Sequence, residues 1–227
     1  MKTILITTND DILADVFWEY FTKKRTKLLD KIIVLPSRNE IDFPKFFKPF
    51  IAIKMLGIKG LYKFVLYKLS HSKFPLSSVC VDLVSFNHLD YEKIFNEVKI
   101  SKCDILISVG APILFKPDLL SIPKCYSLNL HNGDILKYRG HFSTFWEIFN
   151  KENELTLTLH EMSEIADSGN IYDQVRINKN LFKTFWDLMY WKKKAGGSML
   201  AENLNFLENN EIKFNQIMSK HDLKNAK

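Results

Sequence analysis

Glycine-rich phosphate cradles are missing from this chain. Neither Gly-x-Gly-x-x-Gly nor a P-loop occurs, and the first apolar run ends in "TTNDD" (7–11) without a glycine. A dinucleotide dehydrogenase or a P-loop kinase would lack its anion site. The Gly-x-Ser-x-Gly elbow and the His-Glu-x-x-His helix are also absent. Cysteine is scarce: Cys80, Cys103 and Cys125 match no zinc knuckle or Cys-x-x-Cys pair, and an odd count argues against a disulfide framework. They read as buried thiols of a reducing cytoplasm, with no metal expected. Arginine is scarce too. Of 32 basic residues only Arg25, Arg38, Arg139 and Arg176 carry the guanidinium fork that phosphate-reading surfaces favour. A net charge of +6 and a pI near 9.0 suit anionic small molecules without calling for a nucleic acid. Long uninterrupted apolar runs are absent as well. "MKTILITTND" is too short for a signal peptide. Segment 43–74, though apolar and aromatic, is broken by Lys48, Lys54, Lys59, Lys63 and Lys68. No transmembrane helix is expected, since one needs about 20 predominantly apolar residues.

What is present points to an α/β domain. Apolar residues make up 46% of 227, ample for one sizeable core. "TILIT", "KIIVLPS", "SSVCVDLV" and "CDILISVG" read as short buried strands, with helical spacing between them through Leu13, Val16, Phe17 and Phe21 and again from Tyr91 to Val98. "LTLTLHEM" alternates strictly. Strands separated by helices imply βαβ units and a mostly parallel, Rossmann-like sheet flanked by helices. We read residues 1–178 as the catalytic domain, with an inserted helical pair at about 43–74, and 179–227 as a short helical or hairpin extension. Gly196-Gly197 is expected to interrupt the long helix of that extension.

The stretch "SLNLHNGDILKYRG" (127–140) carries the chemistry. On a strand Asn129 and His131 share a face, and in open α/β sheets ligands bind at the strands' carboxyl ends. Further on, "IADSGNI" places Asp167 in a turn-forming Asp-Ser-Gly. An amide, an imidazole and a carboxylate meeting in one crevice would suit proton transfer and charge stabilisation; the bland alternative is a buried polar cluster tying loops together. His88 and His160, each alone in its segment, read as ordinary satisfied histidines.

Asn129-Leu130-His131, then Tyr138-Arg139-Gly140, then Trp146, then "TLHEMSEIADSGNI" resemble the core of the folate-dependent formyltransferases. The upstream "CDILISVGAPILFKPDLLSIP" is similar to that family's preceding strand and helix, so the resemblance covers about 77–173. It implies 10-formyltetrahydrofolate as co-substrate. It also implies Asn129 and a protonated His131 as oxyanion donors, and Asp167 as the carboxylate that favours the imidazolium and orders a relay water. The resemblance further implies a folate site on two loops, through Phe86 and Asn87 and through Ser163, Ile165 and Ala166. Asn132, Gly133, Tyr138, Arg139 and Trp146 are its candidates for the acceptor. Leu155-Thr156-Leu157-Thr158 departs from the glycine the family often has in that strand.

His131-Asn132-Gly133 stands where purine and tRNA formyltransferases commonly have His-Pro-Ser, and it looks like the enzymes that formylate nucleotide-linked amino sugars. After Ile177 only 50 residues follow, too few for a tRNA-binding domain. Asp10 and Asp11 in the first loop disfavour a phosphoribosylglycinamide formyltransferase. A deoxythymidine-diphosphate 4-amino sugar is therefore the expected acceptor, with Tyr172, Phe182 or Trp186 stacking on its base or sugar. A homodimer is compatible with this reading. The other readings are a phosphoribosylglycinamide formyltransferase-like enzyme, a non-catalytic folate-binding protein, and a peripheral membrane protein anchored by 43–74.

Overall fold

The computed structural model describes residues 1–8, 13–36 and 48–208, with 48–55 by backbone alone. Seven strands form one sheet: β1 (Thr3–Thr8), β2 (Leu29–Leu35), β3 (Cys80–Ser85), β4 (Ile105–Val109), β5 (Tyr126–His131), β6 (Glu154–Glu161) and β7 (Ile171–Asn178). Their order is β3-β2-β1-β4-β5-β6-β7. The first five are parallel, and β6 runs against both of its neighbours. Six helices accompany them: α1 (Ala14–Lys24), α2 (Lys48–Ser70), α3 (Tyr91–Ser101), α4 (Pro117–Leu120), α5 (Ser143–Phe149) and α6 (Phe185–Glu208).

The inner strands β1, β2 and β4 are buried on both faces, as parallel sheets require, while the edge strand β3 is largely exposed. Alternation sorts them into two cores. Leu5, Ile32, Val34, Ile107 and Leu128 pack with α1 and α6 through Phe17, Phe21, Leu200 and Leu204. Ile4, Ile6, Ile33 and Leu106 face the other way, onto Ile94 and Val98 of α3 and Leu119 of α4. Asp90 caps α3, its side chain accepting from the Lys93 N–H at 3.2 Å.

One expectation changes. The Gly196-Gly197 pair does not interrupt α6, which runs through it. A Cβ on Gly197 would lie 2.1 Å from the Phe17 carbonyl oxygen, so the pair lets α6 cross α1 at close range rather than breaking it. In the helical stretch after residue 179, Met199, Leu200, Ala201, Leu204 and Leu207 pack into the same core as Leu5 of β1 and Leu128 of β5. Within 43–74, two helical pieces meet at Gly57 (φ 66°, ψ 168°) to make α2, and the second packs Phe64 and Tyr67 against Trp186. Residues 9–12, 37–47 and 209–227, including the Asp10-Asp11 pair and Arg38, lie outside the described residues.

Candidate active site

The site is built at the carboxyl ends of β1, β4 and β5. The connections after β1 and β4 leave the sheet in opposite directions, and such a switch point opens a crevice. A cavity of about 1360 Å³ occupies it. Thr8 lines it from β1, Ser108 from β4 with Gly110 just after it, and Asn129 to His131 from β5 with Asn132 just after it.

Asp167 is the hub of the cluster. Its Oδ1 accepts from Asn129 Nδ2 at 3.1 Å, and its Oδ2 accepts from the Gly140 N–H at 2.8 Å. His131 Nδ1 lies 3.4 Å from Oδ2, and His160 Nε2 lies 3.3 Å from Oδ1. The residue adopts φ 51°, a left-handed conformation that aspartate tolerates better than most side chains, and these bonds hold it there. Burial alone raises the Asp167 carboxyl. His160, His131 and the Gly140 N–H outweigh burial and hold the group well below the usual carboxylate range.

The sequence reading passed over His160. It is buried, and strand pairing sets it directly opposite Asn129. Its Nδ1 donates to the Glu161 carbonyl at 2.7 Å, and its Nε2 lies 3.2 Å from Asn129 Nδ2, beside its 3.3 Å approach to Asp167 Oδ1. Asn129 Nδ2 thus donates to Asp167 and sits within hydrogen-bond reach of His160. His131 also departs from expectation. Burial pulls its imidazole down to about 4, against the upward pull of Asp167, so the ring is neutral near pH 7 rather than an imidazolium. Its Nε2 donates to the Tyr138 carbonyl at 3.1 Å. A proton arriving on Nδ1 would face Asp167.

Behind this cluster sits a second one. Lys192 of α6 is buried, and its Nζ donates to the Asn132 carbonyl (2.8 Å), Thr144 Oγ1 (2.7 Å), the Thr156 carbonyl (2.9 Å) and Glu147 Oε2 (3.2 Å). Glu147 Oε1 accepts from the Asp134 and Thr156 N–H groups. Burial pulls Lys192 down to about 8 and raises Glu147, each countering the other's shift. This pair pins the chain just past His131 to α5, α6 and β6. Gly133 is required there for close approach, since a Cβ would fall 2.5 Å from Ser143 Cβ.

No family model matches the chain. A bifunctional polymyxin resistance protein of Wigglesworthia glossinidia brevipalpis is 32% identical over 115 residues, 47% of this chain and 18% of its own length. A methionyl-tRNA formyltransferase of Ehrlichia ruminantium is 26% identical over 106 residues, 47% of this chain and 35% of its own. The chain therefore spans well under half the length of these curated relatives. Among solved structures, a sugar N-formyltransferase from a Shewanella species matches with TM-score 0.60 at 16% identity, over 97% of this chain and 74% of that one. An N-formyltransferase from Helicobacter canadensis, in complex with folinic acid and dTDP-3-aminofucose, gives 0.54 at 21%, over 98% and 69%. A phosphoribosylglycinamide formyltransferase from Anaplasma phagocytophilum gives 0.62 at 12%, over 93% and 88%. This is the formyltransferase fold.

On that fold the expected residues separate. Asn129, His131 and Asp167 come together. Ser163 and Ala166 line the cavity, whereas Ile165 does not and is exposed. Phe86 and Asn87 do not line it: Phe86 packs against the α3-side core and Asn87 is exposed. Gly110 to Phe115, after β4, line it instead. Asn132 and Trp146 line the cavity, and Gly133, Tyr138 and Arg139 do not. The Tyr138 hydroxyl donates to Glu152 Oε1 at 2.8 Å, and Arg139 Nε to the Ile135 carbonyl at 3.1 Å. Of the three stacking candidates only Phe182 reaches the cavity; Tyr172 and Trp186 are core residues. Lys179, Lys183, Phe142 and Phe145 complete the wall beside Trp146.

Proposed function

We propose that the chain transfers the formyl group of 10-formyltetrahydrofolate to the amine of a nucleotide-linked amino sugar. The observation that carries this is Asp167 drawing Asn129, His131 and His160 to one point inside a cavity larger than the roughly 300–1,000 Å³ of a usual single-ligand site. A transferase must hold donor and acceptor together. Gly110 to Phe115, with Ser163 and Ala166, would take the folate. Trp146, Phe145 and Phe182 offer faces for a base, and Lys179 and Lys183 supply charge for a diphosphate.

In the reaction the neutral amine attacks the formyl carbon, and the carbonyl oxygen becomes an oxyanion. Asn129 turns an amide proton toward that oxygen. The attacking nitrogen loses a proton to neutral His131. The resulting imidazolium lies between Asp167 and the Tyr138 carbonyl, and it returns the proton to N10 of the folate as the carbon–nitrogen bond breaks. Asp167 remains ionised throughout and stabilises the transient cation.

The likeness to phosphoribosylglycinamide formyltransferase is as good in fold, so the acceptor rests on His131-Asn132-Gly133 and on the aromatic wall. Mixing the protein with 10-formyltetrahydrofolate and a panel of nucleotide-linked amino sugars, alongside glycinamide ribonucleotide, separates the two. A mass gain of one formyl group on a sugar nucleotide is expected. Gain on glycinamide ribonucleotide alone would overturn the sugar assignment.

A further inference from the structure

Beyond the kink at Gly57, α2 is apolar on two opposite sides. Gly60, Phe64 and Tyr67 turn inward, with Phe64 and Tyr67 packed among Leu13, Val16 and Trp186. Ile58, Tyr62, Val65, Leu66 and Leu69 face outward, Ile58 and Leu69 each 81% exposed. At about 100° per residue these five fall in a stripe about 100° wide. A helix ordinarily buries a stripe of that width.

Charge indicates what covers it. Lys59 and Lys63 run along one flank of the stripe and Lys68 along the other, and no acidic residue occurs from Lys48 to Ser70. Lys63 also meets Asp187 of α6 at 2.6 Å. A second copy docking through the same stripe would set lysine rows against lysine rows, with no carboxylate on either helix between them. An anionic surface meets both the apolar stripe and its basic flanks. No helix among the described residues is long and apolar enough to cross a membrane, so contact would be at the surface.

We propose that this face of α2 docks on a lipid bilayer bearing anionic headgroups. The helix lies in the interface plane, its five apolar side chains reach the acyl boundary, and the lysines sit at the level of the lipid phosphates. None of residues 58–70 lines the cavity.

The test is co-sedimentation of the full chain with phosphatidylcholine vesicles prepared with and without phosphatidylglycerol. Binding is expected only with phosphatidylglycerol and should weaken as salt rises. Ile58→Asp, Leu69→Asp and the pair Lys59→Gln with Lys68→Gln should each bind about ten-fold less, with unchanged melting temperature and solution mass. These positions are exposed, so the variants should fold. Three outcomes would overturn the proposal: no binding to the anionic vesicles, equal binding by the aspartate variants, or a solution dimer that those variants split.

Discussion

Two buried charged clusters flank the same short turn at Asn132-Gly133, and they differ in how completely they are satisfied. Around Lys192, four acceptors within 3.2 Å compete for three protons, Glu147 is bonded on both oxygens, and neither residue lines the large cavity. Around Asp167, hydrogen-bonding groups crowd one carboxylate, two of the contacts are stretched to 3.3 and 3.4 Å, and all four side chains line the cavity. A closed network holds position. An open one can exchange partners with a ligand, and that is what chemistry at a site requires.

The largest expected effects sharpen this contrast on the open side. Asn129→Ala removes the proposed oxyanion donor and should slow formyl transfer by about 10²- to 10³-fold. His131→Asn should cost at least as much, because it removes the ring proposed to shuttle the proton. The double variant should be little worse than the more damaging single one, since the residues act as a unit. Steady-state and single-turnover rates on variants whose circular dichroism matches wild type would check this.

On the closed side the loss should fall on stability instead. Lys192→Met or Glu147→Gln leaves a buried partner uncompensated and should cost about 3–5 kcal/mol in urea unfolding. Lys192→Met combined with Glu147→Leu should recover part of it. Full recovery of stability with lost activity would move the pair into the catalytic machinery and break the contrast. Gly197→Ala comes next, at about 1–3 kcal/mol, because its methyl would be driven into the Phe17 carbonyl.

The mildest effect is the response to acid. The folded-state pKa of His131, about 4, lies below its ordinary value of 6.5, so the unfolded chain takes up the proton first. That contribution to stability is complete above pH 6.5 and is lost as the pH falls toward 4. Asp167, also depressed, acts in the same direction at lower pH. Melting temperature should therefore fall from pH 7 to pH 5, and His131→Asn should flatten the slope.

Much of this was legible in local sequence. Apolar runs and helical spacing gave the strands and helices of the parallel half, and the period of two placed Asn129 and His131 on one face. What stayed hidden depended on strand order and register. The loop after β3 was expected at the site, yet β3 is the far edge of the sheet, and β4, beside β5, brings Gly110 to Phe115 there instead. His160 is chemically meaningful only because β6 turns antiparallel and sets it opposite Asn129. The charge of His131 depended on burial, which no spacing reveals. Gly196-Gly197 looked like a helix break because the sequence does not show that α1 passes against it.

The most direct test of the account is single-turnover transfer from saturating 10-formyltetrahydrofolate, comparing wild type with Asp167→Asn. The substitution keeps the side chain's size and removes the charge that holds Asn129, His131 and His160 together. A folded variant that binds the folate within a few-fold of wild type but transfers formyl at least about 100-fold more slowly is predicted. Near wild-type transfer by that folded variant would show that the Asp167 cluster, like the Lys192 cluster behind it, only holds the loops in place.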